Sequence, residues 1–313
     1  MIAKVLLAVS FTGILMATEP VTLETSTGTL YGTLEVPSGS GPFPVVLIHA
    51  GSGPTDRDGN SPALPGKNDS LKMLAEALAK QGIASLHYDK RAIAASAKAA
   101  AREEDLRFET YIDDAVAWGQ QLRKDKRFGK LTMLGHSEGA LILSVAAQKL
   151  PADAYISIAG AGSPAGKIVL EQLRPQLPPD LMKQVEGIVD SLDRGQLVEH
   201  TPPQLAALFR NSVQPYLISW FKYDPASEVA KLKMPVLILQ GDTDIQVQAA
   251  DARRLAAAQP AAKLVIVNGM NNVLKLVEAD PAKQLASYGD PALPVAPRLI
   301  SEIADFVKTI QEK

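Results

Sequence analysis

A serine stands between two glycines in Gly135-His136-Ser137-Glu138-Gly139, and this spacing is the strongest chemical signal in the chain. The run before it, Lys130 to Leu134, reads as a short apolar strand. The run after it, Ala140 to Leu150, reads as a helix with Leu141, Val145 and Ala146 on one face. G-x-S-x-G at a strand-to-helix junction is a nucleophile elbow. The turn is sharp enough to strain the serine backbone, and glycines without a Cβ let strand and helix approach each other. The Ser137 hydroxyl then stands clear of the sheet, above a helix N-terminus that favours negative charge. The N–H of Glu138 points where an oxyanion would form. The chemistry this serves is attack on a carbonyl carbon.

An activated serine needs a base, and the base needs an acid to orient it. The acid is expected after the strand Val236 to Gln240, in Gly241-Asp242-Thr243-Asp244-Ile245-Gln246-Val247. Asp244 is the choice and Asp242 the alternative; either can also be a turn aspartate capping the helix that follows. The base is expected after the last strand, where Gly269-Met270-Asn271-Asn272-Val273-Leu274-Lys275 stands, and no histidine follows His200. Of the four histidines, His136 should point into the sheet packing, His49 ends a buried strand, and His87 lies within another. His200 sits in an insertion, and a triad needs hydrogen-bond reach of about 3 Å.

The elements that must position these groups alternate. Val21–Glu24 and Leu30–Val36 read as a hairpin, and Val45–Ala50 as a buried parallel strand. Ser70 is placed to cap a helix through Lys80, with Leu71, Leu74 and Leu78 inward. Ile83–Tyr88 is the next strand, residues 90–107 a loop or short helix, and Phe108–Lys124 a long amphipathic helix. Ala154–Ala159, Pro235–Gln240 and Leu264–Val267 complete the strands, with helices at Val247–Ala258 and Pro297–Gln311. Between residues 164 and 231 only helical periodicity remains, broken by prolines. The expectation is an α/β fold: a mostly parallel central sheet flanked by helices, with a helical cap inserted. Its parts are a core over residues 18–162, a cap over 163–231 and a second core segment over 232–313.

The chain has 313 residues, 46% of them hydrophobic, and a formal net charge of −2. That balance offers no electrostatic footprint for nucleic acid and no polybasic membrane patch. It has no cysteine, which excludes disulfides, thiolate metal sites and a thiol nucleophile. A basic start, an apolar run from Val5 to Ala17 and Glu19-Pro20 resemble a secretory leader cut after Ala17, so export is expected, without stable membrane insertion. No phosphate-binding G-K-[ST] is present, and the calcium-loop pattern that Asp56-x-Asp58-x-Asn60 would begin fails at Ser61 and Lys67.

Four segments together resemble the α/β-hydrolase superfamily, and more narrowly bacterial serine carboxylesterases. They are Gly51-Ser52-Gly53-Pro54-Thr55-Asp56-Arg57-Asp58-Gly59-Asn60, the elbow, Asp244-Ile245-Gln246-Val247, and Asn271-Asn272-Val273-Leu274-Lys275. The resemblance implies that Asp244 is the triad acid and that Asn272 occupies the place of the family's histidine. An amide cannot take a proton near neutral pH, so the chain reads as an impaired esterase. The reaction implied is hydrolysis of small carboxylic esters without cofactor or metal. An amidase or aminopeptidase, or a non-catalytic small-molecule binder, is the alternative. The second oxyanion donor is expected to be the Ser52 N–H, with Gly51 its neighbour. The pocket is expected to draw on Gly51, His136, Trp220 and Phe221. Tyr88-Asp89-Lys90-Arg91 reads as structural, Arg57, Asp56 and Asp58 as braces of the first loop, and the Glu138 side chain as facing solvent.

Overall fold

The computed structural model describes residues 16–100 and 102–312. Most of the leader-like run lies outside them. Eight strands form one sheet: β1 (Ala17–Thr25), β2 (Gly28–Val36), β3 (Phe43–His49), β4 (Ala84–Tyr88), β5 (Phe128–His136), β6 (Ala154–Ile158), β7 (Val236–Gly241) and β8 (Lys263–Val267). Their order is β1-β2-β4-β3-β5-β6-β7-β8. β1 and β2 form an antiparallel hairpin, and β2 joins β4 antiparallel. From β4 through β8 every pairing is parallel.

The sheet is covered on both faces, and the alternation along β3 shows how. Val45 and Leu47 enter one apolar cluster, with Phe108, Ile112, Ala115 and Trp118 of α2 (Phe108–Lys124) and with α3 (Glu138–Lys149). Val46 and Ile48 enter the opposite cluster, with Leu71, Leu74 and Leu78 of α1 (Ser70–Lys80) and with Leu299, Ile303 and Val307 of a C-terminal helix, Pro297–Gln311. A strand buried on both faces must be apolar at every position, which is why it lacks the alternation of a half-exposed strand.

Between β6 and β7 run α4 (Ala165–Leu173), α5 (Pro179–Asp193), α6 (Ala206–Phe209), α7 (Gln214–Phe221) and α8 (Pro225–Ala230). They enclose a third apolar cluster around Val185, Leu192, Phe209 and Phe221. The remaining helices are α9 (Ala249–Ala258), α10 (Pro281–Ser287) and α11, the C-terminal helix already described.

Two local features differ from the expectations. Ser70 is the first residue of α1 rather than its cap; the N-cap is Asp69, in the left-handed region at φ 49°, and the Ser70 N–H donates to Asn68 Oδ1 at 3.0 Å. The short α10 lies where no helix is expected, although its signal is in the sequence. Asp280 accepts the Lys283 N–H and Pro281 opens the first turn, the usual chemistry of a helix start.

His87 on β4 is buried, and its Nδ1–H donates to Arg57 O at 3.0 Å. Burial pulls its pKa down to about 4, so its 3.5 Å approach to Asp58 is not an ion pair at neutral pH. Between the unfolded value near 6.5 and the folded value near 4, only the unfolded chain binds this proton. Stability is therefore lost as pH falls through that window, by up to about 1.4 kcal/mol per pH unit. His87→Gln is expected to show a correspondingly shallower fall in urea-unfolding free energy between pH 6 and pH 4.5. Parallel slopes in the two proteins would refute this.

Candidate active site

Ser137 caps α3 with φ 53° and ψ −120°, a backbone conformation that non-glycine residues rarely adopt. It is held from both sides: its N–H donates to Ile158 O at 2.9 Å, and its carbonyl accepts from Ala140 N–H at 3.0 Å. The flanking glycines are sterically required. A Cβ on Gly135 would lie 2.2 Å from Gly139 O, and one on Gly139 would lie 2.5 Å from His49 O. β5, α3 and the end of β3 thus meet at backbone contact, and the serine is raised where they meet.

The loop after β3 lies against this turn; a Cβ at Gly51 would stand 3.2 Å from Ser137 Cβ. The carbonyl of Ala50 accepts from His49 Nδ1 at 2.8 Å. Further along, Asp56 accepts the N–H groups of Asp58 and Asn60 at 2.9 and 2.8 Å, and Arg57 pairs with Asp89 at 2.7 Å. Asp56 and Arg57 do brace the loop.

Asp244 and Asn272 are brought together. Asn272 Nδ2 donates to Asp244 Oδ2 at 2.9 Å, and Gln240 donates to the same oxygen at 3.1 Å. Asp244 Oδ1 accepts the N–H groups of Gln246 and Val247 at 2.8 and 3.0 Å. Burial pushes the Asp244 pKa up, and these hydrogen bonds oppose it. Asp242 instead accepts the Gly269 N–H at 2.6 Å, a turn role away from Ser137. The geometry therefore separates the two aspartates. Asn272 offers Asp244 an N–H, as an imidazole Nδ1–H would, but it carries no atom that takes a proton.

His136 is buried, and its Nε2–H donates to the backbone carbonyl of Asn272 at 2.8 Å. Burial lowers its pKa and keeps the ring neutral. It ties the elbow to the loop that carries Asn272 and does not line the cavity, contrary to its expected place in the pocket. His200 is exposed on the cap and also away from the cavity.

Ser137 opens into a cavity of about 640 Å³ between core and cap. Ser52, Lys90, Glu138, Tyr216 and Trp220 line it; Gly51 and Phe221 do not. Phe221 is buried in the cap's own core instead. The reason is helical phase: Tyr216 and Trp220 are four residues apart and share one face of α7, whereas Phe221 is turned about 100° from Trp220. Sequence reasoning grouped Trp220 with Phe221 by adjacency and missed Tyr216, which the i, i+4 spacing would have found.

Glu138 is a second correction. Its side chain is buried rather than solvent-facing, and Oε1 accepts from Tyr216 OH at 2.7 Å. Burial pushes its pKa up, opposed by Lys90 and by this hydrogen bond. Lys90 is buried too, and its ammonium donates to the carbonyls of Gly51 and Gly53, the latter at 2.8 Å. Burial pulls its pKa down, and the charge of Glu138 opposes that. The Tyr88–Arg91 segment therefore reaches the cavity wall as well as bracing the core.

Gly139→Ala is expected to destabilise the fold by about 3 kcal/mol, because the clash is with backbone carbonyls that cannot rotate away. Urea unfolding measures it; a midpoint equal to that of the parent protein would contradict the close approach.

Three comparisons bear on this arrangement. A family model described as "Serine aminopeptidase, S33" matches residues 67–212. Esterase EstD of Thermotoga maritima is 27% identical over 248 residues, which is 78% of this chain and 58% of that protein, so the match spans little more than half of the relative. Among solved structures, Est1E from Butyrivibrio proteoclasticus superposes with a TM-score of 0.61 at 17% identity, covering 94% of this chain and 99% of that one. A thermophilic esterase from Thermogutta terrifontis gives 0.55 at 17% identity, covering 94% and 99%. At such identities the likeness speaks for architecture, and the architecture this chain has is the α/β-hydrolase fold.

Proposed function

We propose that the chain is a serine carboxylesterase in design, acting on small carboxylic esters, whose turnover is crippled by Asn272. In the parent reaction Ser137 Oγ attacks the ester carbonyl while an imidazole takes its proton. The resulting oxyanion is held by backbone N–H groups of Glu138 and Ser52. The tetrahedral intermediate collapses, the imidazole returns the proton to the leaving alkoxide, and water then hydrolyses the acyl-enzyme. Asp244 would hold that imidazole in place. The observation that carries the reading is the 2.9 Å contact between Asn272 Nδ2 and Asp244 Oδ2, beside an elbow serine open to a cavity. It leaves the acid occupied and the proton acceptor missing. The relatives named as esterases support the ester as substrate, and the leader-like N-terminal run supports export.

Losing the base of such a site lowers kcat by a factor on the order of 10⁶. Asn272→His is therefore expected to raise kcat for a short-chain nitrophenyl ester by a factor on the order of 10³ or more. Ser137→Ala in that background should return it to the uncatalysed rate. An inactive, folded Asn272→His protein would leave the second reading, a small-molecule binder using the same cavity. The aminopeptidase description of the matched family makes a nitroanilide the companion substrate, and a preference for it over the ester would move the assignment to amide hydrolysis.

A further inference from the structure

Lys90 is a buried cation with no carboxylate within ion-pair distance among the described residues. Its ammonium is committed to two backbone carbonyls, those of Gly51 and Gly53, on either side of Ser52. The nearest opposing charge is that of Glu138, the residue after the nucleophile, which acts on Lys90 through space. A buried ammonium is costly to desolvate, and a purely structural tether to two carbonyls could be made by a neutral amide.

The carbonyl of Gly51 and the N–H of Ser52 belong to one peptide unit. In a trans peptide they point in opposite directions, so fixing the oxygen fixes the direction of the hydrogen. The preceding unit, which carries the Gly51 N–H, is fixed in the same way by His49 Nδ1 on Ala50 O at 2.8 Å. Ser52, Gly53 and Pro54 are themselves exposed, and Gly53 has φ +68°, so side-chain packing does not set this stretch. Hydrogen bonds to its carbonyls set it: Thr55 Oγ1–H donates to Ser52 O at 2.8 Å, and Lys90 holds the carbonyls of Gly51 and Gly53. A cation on a carbonyl oxygen also polarises its peptide, which makes the N–H at the other end a stronger donor.

We propose that Lys90 is the positioning residue of the oxyanion site: by holding the carbonyls of Gly51 and Gly53 it aims and polarises the Ser52 N–H toward the oxygen of the tetrahedral intermediate. The proposal depends on the reading of Ser137 and of the loop after β3 given above. It assigns Lys90 no contact with the substrate and no proton transfer.

The test reads transition-state and ground-state recognition separately. Butylboronic acid forms a tetrahedral adduct with an elbow serine, the boron–oxygen bond forming as the hydroxyl proton passes to the imidazole, so its affinity is measured by calorimetry in the Asn272→His background with and without Lys90→Met. Butyramide serves as the planar control. In parallel, kcat and KM for a nitrophenyl butyrate are compared in the Asn272→His background with and without Lys90→Met. The expected result is a fall of about 10²-fold in kcat and a comparable fall in boronate affinity, with KM and butyramide affinity within about threefold. Lys90→Gln, which keeps an amide donor but no charge, should fall between the two and covers the case in which Lys90→Met does not fold. Lys90→Met equal to its parent in both assays overturns the proposal and leaves the esterase reading intact. So does an equal loss for boronate and butyramide, which would mean that Lys90 only shapes the pocket. If Asn272→His hydrolyses nothing yet boronate binding depends on Lys90, the positioning role stands and the esterase reading fails. An Asn272→His protein that neither binds the boronate nor hydrolyses the ester overturns both.

Discussion

The approach of β5 to α3 at the elbow is the constraint on which the site depends. The space between Gly135 and Gly139 admits no Cβ, and the carbonyls of His49 and Ala50 close it from the β3 side. Three strand ends are drawn to one point, since Ser137 N–H also bonds Ile158 O at the end of β6. The strain at Ser137, of order 1–3 kcal/mol for such a conformation, is sustained because its own N–H and carbonyl are both held by backbone hydrogen bonds. From that point His136 links the elbow to the backbone of Asn272, whose amide in turn bonds Asp244 after β7.

The cavity is a product of two hydrophobic cores that meet. α7 serves both: Leu217 and Phe221 belong to the cap cluster, while Tyr216 and Trp220 pack against both clusters and, with Leu217, line the cavity. Phe108 of α2 stacks on Trp220 with ring centroids 6.0 Å apart and planes 5° from parallel. The cap is thus tied to the core by aromatic contact at the wall that a substrate would touch. Beside Ser137 this wall carries buried charge, where Glu138 and Lys90 lie and Tyr216 OH bonds the carboxylate; Arg102, Glu103 and Arg210 line it elsewhere. Burial drives both ionisable groups toward neutrality and each opposes the shift in the other, so neither is independent of its counterpart.

Asn272 is where the architecture and the proposed chemistry part. The loop that carries it is fully built. His136 bonds its carbonyl, Asn271 Oδ1 accepts the Lys275 N–H at 3.0 Å, and Asp244 accepts its amide. An amide fits because the hydrogen bond to the acid requires only an N–H. Proton transfer requires a basic nitrogen on the other side, and the carboxamide has none.

Local rules were enough to read much of this from sequence. The elbow follows from two glycines around a serine between an apolar strand and a helix. The mostly parallel sheet follows from fully apolar strands separated by helices, because a strand buried on both faces shows no alternation. The choice of Asp244 came from the order of elements and that of Asn272 from a resemblance in four short segments, and neither periodicity nor composition could have supplied them. Tertiary structure alone decided which groups share a space. It put Asp244 and not Asp242 against Asn272, turned Phe221 into the cap and Tyr216 toward Ser137, buried Glu138, and carried Lys90 from the end of β4 to the carbonyls beside Ser52. The physical reason is that sequence spacing fixes direction only within an element, while the burial and partner of a side chain depend on which other elements pack over it.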